Sequence, residues 1–286
     1  MSFRDQWILS KAAPTIRELH TGQGCHLDEA ITLCNYLNKI IGADSAARAI
    51  TAASSASTCF RLWTLLADTL MHFEEDCEMI LKLLVCIQKL TTNTMSWWGL
   101  PGFVDEWQRY YESHREDYQG NWCLQKATPY RRQYCRKAGL IEAKMYLEGI
   151  PGIDELDAYR TINLVCSREQ DLQVVIYEIH AWLQVAGSRL AETLDPNANK
   201  SFARAVRGRS GRTYAIKVTM FEHWQHWKKT FLEISYDDEL LSTEARELAR
   251  QCYETMKAQH VKLPFFVDDF GDSREQQQSH DVFFVM

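Results

Sequence analysis

The longest apolar repeat in the chain runs from residue 172 to residue 190 and recurs every three or four positions. This spacing places one apolar stripe along an α-helix, because a helix completes a turn in about 3.6 residues. A stripe of this length has to be buried against other elements. The pattern therefore predicts a helix over residues 168–193 and favours a helical core. The repeat consists of Leu172, Val175, Ile176, Ile179, Leu183, Ala186 and Leu190.

Shorter repeats of the same period indicate that most of the chain is helical. Residues 57–72 and 75–91 each predict one helix of an antiparallel pair. Gly139 is expected to end a helix that begins at Pro129, and a second short helix is expected to follow it. Residues 203–217 carry glycines and basic residues and are expected to form a loop. We expect an all-α, single-domain array of about nine or ten helices over residues 1–263, with no sheet, and a polar C-terminal tail over residues 264–286.

Charge and hydropathy restrict the classes of partner. The formal net charge of −6 argues against nucleic acid or an anionic membrane as the main partner, since phosphate binding needs a basic surface. No apolar run approaches the roughly 20 residues needed to cross a bilayer. The first residues lack the uninterrupted apolar segment of a secretory signal. We therefore expect a protein that binds no nucleic acid and no membrane.

The nine cysteines form no C-x-x-C pair and their spacing is irregular. Several lie on apolar helix faces. Free and mostly buried thiols in a reducing compartment explain this pattern best, and a disulfide framework is the less favoured alternative. We expect a cytoplasmic location.

Large aromatic residues, glycines and a proline are concentrated in residues 97–103. Gly99, Pro101 and Gly102 predict a turn here, with helix resuming at Phe103. The rings are either a lining for a hydrophobic pocket, with Glu106 as a polar group, or a plug at one end of a helical bundle. For the pocket, the candidate substrate-binding residues are Trp97, Trp98, Phe103, Trp107 and Tyr110, together with Trp182 of the longest helix.

Several of these segments resemble a fungal family of helical proteins of unknown function, typified by the oxopyrrolidine biosynthesis cluster protein G. The resemblance rests on residues 60–70, 79–90, 97–103 and 176–187, on the Trp-rich residues 223–228, and on residues 241–256. The chain departs from the family at residues 128–140, where Tyr130, Arg131 and Arg132 replace a more apolar pattern. The resemblance implies a fungal cytoplasmic protein, and some members are encoded in secondary-metabolite gene clusters. It implies no established reaction.

Three histidines are candidates for catalysis or metal binding. His180 lies in the most apolar helix, where an imidazole can titrate near neutral pH and act as a general acid or base; a hydrogen-bonded structural role is the alternative. His223 and His226 stand three residues apart, a spacing that can face one metal. A third ligand is missing from the motif, so we assign no metal site and expect these histidines at the boundary of the core. The candidate catalytic residues are His180, His223 and Glu106.

The basic residues 204–217 contain Gly208 and Gly211 but match no phosphate-binding motif. A solvated loop is one interpretation, and an anion site that uses Arg209 and Arg212 is the other.

Three classes of function remain open. The first is a cofactor-independent cyclase, isomerase or condensation enzyme of fungal secondary metabolism, acting in an aromatic-lined pocket on a small-molecule substrate. The second is a non-catalytic helical binding or scaffold protein for a pathway intermediate or a partner enzyme. The third is an enzyme whose phosphorylated or otherwise activated substrate is held by residues 204–217. No cofactor is expected, and the sequence does not define the oligomeric state.

Overall fold

The computed structural model describes residues 1–52, 58–91, 96–109, 129–166, 172–206 and 209–265, and at residues 205, 206 and 209–213 it describes the backbone alone. The described residues form twelve α-helices, two short 3₁₀ helices and one two-stranded antiparallel sheet. The prediction of a mainly helical chain is confirmed. The predictions of no sheet and of nine or ten helices are wrong. Within the described part of the chain, no helix is long and apolar enough to cross a membrane.

The elements follow one another along the chain in a simple order. The first six helices are α1 (Phe3–Ser10), α2 (Ile16–His20), α3 (Leu27–Leu37), α4 (Ala43–Ile50), α5 (Cys59–His72) and α6 (Cys77–Ile87). Helix α7 is described over residues 103–109. The remaining elements are α8 (Pro129–Leu147), α9 (Glu155–Asn163), α10 (Leu172–Thr193), β1 (Asn199–Val206), β2 (Arg209–Thr219), α11 (Met220–Ile234) and α12 (Thr243–Ala258), with 3₁₀ turns at Glu74–Asp76 and Leu164–Cys166.

Helix α8 is continuous through Gly139, so the two short helices expected here are one. A Cβ atom at Gly139 would lie 2.5 Å from the carbonyl oxygen of Glu178 on α10. The glycine therefore permits close approach of two helix backbones and does not end a helix. This contact brings α8 against α10, and α12 packs on α10 as well.

The segment expected to be a basic loop is instead the β1–β2 hairpin. Phe202 pairs with Ile216 and Arg204 with Tyr214 in the antiparallel register. The physical reason is a period-two alternation in which Tyr214, Ile216 and Val218 are separated by smaller or polar residues. Phe202 is buried, which anchors the hairpin to the helical core.

The sequence pattern does not predict helices α1 and α2, and this omission accounts for part of the difference between the predicted number of helices and the number in the structure. Their apolar faces are weak: α1 buries Ile8 and α2 buries no residue. Side-chain caps stabilise their first turns, with Ser2 accepting from the Asp5 amide and Thr15 from the Glu18 amide. Such helices carry little periodic signal.

The eight described cysteines are free, and all but Cys86 are buried. The expectation of free, mostly buried thiols is confirmed for these residues. Of the expected polar tail, residues 266–286 lie outside the described part of the chain.

Candidate active site around Glu142

Glu142 of α8 is held between two tryptophan side chains. Trp107 of α7 donates its indole N–H to Oε1 at 2.9 Å, and Trp182 of α10 donates to Oε2 at 3.3 Å. Both tryptophans are fully buried, whereas Glu142 itself keeps part of its surface accessible. The two indoles hold the carboxyl group in one orientation.

The packing of α8 on α10 positions this group. Gly139 lies three residues before Glu142, on the same helix face, and its contact with Glu178 sets the distance between the helices. Trp182 follows Glu178 by one helical turn and therefore faces the same interface. Tyr146 completes the surroundings, with its ring centroid 6.1 Å from that of Trp182. The site thus combines two carboxyl groups with three aromatic side chains.

The electrostatics of the site favour a protonated carboxyl. Burial is the largest cause that raises the pKa of Glu142 to about 7, and the charge of Glu178 raises the pKa further. The two indole N–H groups act in the opposite direction, because they stabilise the carboxylate. Glu178 is only 3% exposed, so its charge is weakly screened. A carboxyl group whose pKa is raised in this way is a candidate general acid or base.

The three predicted catalytic residues lie in separate surroundings. His180 is on α10, where its Nε2 lies 2.9 Å from Oε1 of Gln251 on α12, and burial lowers the pKa of its imidazole. Glu106 on α7 accepts a hydrogen bond from Thr64 at 3.3 Å and forms an ion pair with Arg109. None of these contacts includes Glu142. The structure therefore does not assemble the predicted residues into one constellation.

His223 is the third predicted catalytic residue and is fully buried beneath the hairpin. Its Nε2 lies 3.0 Å from the carbonyl oxygen of Lys200, and its Nδ1 lies 3.4 Å from Nη2 of Arg204. A carbonyl only accepts and a guanidinium only donates, so the imidazole is neutral with the proton on Nε2. Burial lowers the pKa of His223, and Arg204 lowers it further. These contacts attach β1 to α11.

His226 shares this electrostatic environment, and burial lowers its pKa to about 4. In the described residues, no group of three or more His, Cys, Asp or Glu side chains is placed to hold a metal ion.

The predicted aromatic residues divide into two groups. Trp97 and Phe103 are buried and pack edge-on against Trp63, with ring centroids 5.8 and 5.6 Å away. Trp107 and Trp182 meet at Glu142. Trp98 is 79% exposed and joins neither group. Tyr110 lies outside the described residues, and the side chains of Arg209 and Arg212 on β2 do as well.

The sequence prediction does not include Glu142. A signal for it exists, since Gly139, Glu142 and Tyr146 share one helix face with small and apolar neighbours. A lone carboxylate on such a face indicates a buried ionisable group.

A comparison of the chain with protein-family models, curated proteins and solved structures finds no match.

Proposed function

We propose that this chain is a cofactor-independent enzyme that transfers protons on a small molecule, with Glu142 as the general acid or base. The reaction class is an isomerisation, a cyclisation or a condensation. The observation that carries the proposal is a half-buried glutamate whose carboxyl group is held by the Trp107 and Trp182 indoles beside a second, buried carboxyl at Glu178. A general base has to be held in place and has to titrate near the working pH, and this arrangement meets both requirements.

The surroundings of Glu142 agree with chemistry on an uncharged or transiently cationic substrate. The nearby charge of Glu178 repels an anion and favours positive charge that develops during proton transfer. The half-buried Tyr146 supplies apolar surface for a flat or cyclic molecule, and the two buried indoles orient the carboxyl group. His180, His223 and Glu106 keep their own partners, so we assign them no step in this reaction.

The resemblance to the fungal helical family supports a more specific setting. We extend the proposal to secondary metabolism in the fungal cytoplasm, with a pathway intermediate as the substrate. Mass-spectrometric comparison of extracts before and after deletion of the gene tests this setting. Accumulation of one precursor is expected, and an unchanged metabolite profile while the gene is expressed argues against it.

Solvent deuterium incorporation tests the chemistry with a mixture of metabolites in place of a single chosen substrate. Dialysed protein is incubated in D₂O with a metabolite extract, and mass spectrometry identifies molecules that gain deuterium. Proton transfer at carbon is expected to label a small set of metabolites with the wild-type protein, and Glu142→Gln is expected to reduce the labelling rate by at least about 100-fold.

Glu106→Gln is the matched control, since it makes the same substitution at another glutamate, one that contacts Thr64 and Arg109 and forms no bond with Glu142. This variant should label at the wild-type rate. Equal labelling by wild type and Glu142→Gln, with both proteins folded, removes Glu142 from the mechanism and ends the proposal.

A further inference from the structure

A second feature with binding potential is a cleft of about 380 Å³ between α9 and β1. Leu156, Arg160 and Asn163 line it from α9, and residues 200–203 line it from β1. None of these residues bonds to Glu142, so the cleft is separate from the proposed active site.

The charges that line the cleft are all positive. Arg160 and Lys200 supply two cations, and no carboxylate is among the lining residues. Arg160 has a contact of 3.4 Å with Asp157 on its own helix, which engages one of its nitrogens. Within the described part of the chain, Lys200 forms no ion pair. Two basic residues in the lining of one cleft, in a protein with net charge −6, favour an anion there.

Two hydrogen bonds and a ring contact join the wall of the cleft to the helical core. Asn163 donates from Nδ2 to the carbonyl oxygen of Ala203 at 2.7 Å, and its Oδ1 accepts the indole N–H of Trp227 at 3.0 Å. Phe202 packs on the same indole, with ring centroids 5.4 Å apart. The strand is therefore fixed to α9 before any ligand arrives, which lowers the entropic cost of binding.

We propose that this cleft binds a small molecule that carries a phosphate group beside an apolar body. Arg160 and Lys200 hold the phosphate. A guanidinium and an ammonium on two walls of the cleft bind a phosphate dianion better than they bind a carboxylate ligand. Leu156 and the edge of Phe202 contact the apolar body. The site differs from the anion site expected at residues 204–217, since its two cations lie outside that segment.

Nuclear magnetic resonance titration tests the proposal with two probes, inorganic phosphate and phenyl phosphate. The side-chain amide of Asn163 reports on the cleft directly, and the indole N–H of Trp227 reports on it through its hydrogen bond to Asn163. Saturable shifts of both signals are expected, with phenyl phosphate binding about tenfold more tightly than inorganic phosphate because of its ring. Equal affinity of the two probes overturns the apolar half of the proposal and leaves free phosphate as the ligand.

The double variant Arg160→Ala/Lys200→Ala is expected to weaken phenyl phosphate binding at least about tenfold. A matched control is Arg189→Ala/Lys229→Ala, which removes the same two charges at positions that do not line the cleft. Arg189 resembles Arg160 closely, since their side chains are 59% and 65% exposed and each pairs with a carboxylate three residues away. The control should bind like the wild type.

Circular dichroism verifies that both double variants are folded. The charge-preserving variant Arg160→Lys/Lys200→Arg should retain binding within about threefold, since both cations remain. The proposal is overturned when neither probe produces saturable shifts up to about 10 mM, or when the control variant weakens binding as much as the cleft variant.

Discussion

Gly139 of α8 faces the backbone of Glu178 on α10 so closely that an added Cβ would lie 2.5 Å from the Glu178 carbonyl oxygen and 3.0 Å from its Cα. Both obstacles are backbone atoms, which cannot rotate away. Gly139→Ala therefore has to push α8 from α10, although alanine is the better helix former. We expect a loss of about 2 kcal/mol in the free energy of unfolding, measured by urea denaturation.

Gly187 provides the control for this prediction. It also lies inside a helix on a packed face, but its added Cβ would meet the Thr255 methyl group at 3.4 Å, an ordinary contact. Gly187→Ala should be neutral or should stabilise by up to about 1 kcal/mol, since the gain in helix propensity is retained. Equal effects of the two substitutions contradict the close-approach argument.

His223 makes the stability of the hairpin attachment depend on pH. Its pKa in the folded protein is below the ordinary value of 6.5, so the unfolded chain binds the proton more readily. The stabilisation is fully present above pH 6.5 and is lost as the pH falls from there through the lowered pKa of the folded state. A proton on Nδ1 would also face the Arg204 guanidinium.

The difference in the free energy of unfolding between wild type and His223→Gln isolates the contribution of His223, because both proteins contain the same other titrating groups. Glutamine retains an N–H donor for the Lys200 carbonyl and does not titrate. Wild type should lose stability relative to the variant between pH 6.5 and pH 5, with a slope of at most about 1.4 kcal/mol per pH unit. Urea unfolding at several pH values measures the difference, and a constant difference refutes the prediction.

Glu142 has the opposite pH dependence. Its pKa rises from the ordinary 4.5 to about 7 in the folded protein, so the folded state holds the proton more firmly than the unfolded chain. The stabilisation from this protonated carboxyl is present below pH 4.5 and is lost as the pH rises through about 7.

Two signals should follow this titration. The indole N–H resonances of Trp107 and Trp182 are expected to shift with a common midpoint near pH 7, and Glu142→Gln should abolish both transitions. Trp63, whose indole N–H bonds to the Pro101 carbonyl, should show no such transition and serves as an internal control. A midpoint near the ordinary value of 4.5 would show that burial does not perturb this carboxyl.

The adjacent residues Trp97 and Trp98 should respond very differently to substitution. Trp97 is buried against Trp63, whereas Trp98 is 79% exposed. Trp97→Ala should cost about 3–5 kcal/mol of folding free energy, and Trp98→Ala should change it by less than about 0.5 kcal/mol. Thermal and urea unfolding measure both. A large loss for Trp98→Ala contradicts the exposed placement of its ring.

The sequence predicts helices where burial is strong and periodic, as in α5, α6 and α10. It fails for α1 and α2, because caps stabilise these helices and their apolar faces are weak. It also fails for the hairpin, since the density of arginine and glycine conceals the alternation of Tyr214, Ile216 and Val218. At Gly139, local sequence does not distinguish a helix end from a close approach between helices, because glycine suits both.

The candidate site is harder to predict from the sequence than the helices are. Trp107 and Trp182 are aromatic candidates in the sequence, but their common partner lies 35 residues from one and 40 residues from the other. Only the packing of α8 on α10 determines which of the many carboxylates becomes buried between them. Tertiary structure, and not local pattern, selects Glu142.

The eight cysteines that the structure describes are free thiols and serve as native probes of local opening. Burial raises the pKa of Cys25 to about 12 and that of Cys77 to about 11, and Cys252 is raised as well, so thiolate is scarce while the native packing holds. An alkylating reagent therefore reacts with each thiol at the frequency with which its own helix or turn opens. The half-buried Cys86 should be alkylated fastest, and Cys252, at the centre of α12, should be alkylated most slowly. Mass mapping of the alkylated positions would show which helices open together, with no cysteine introduced by mutation.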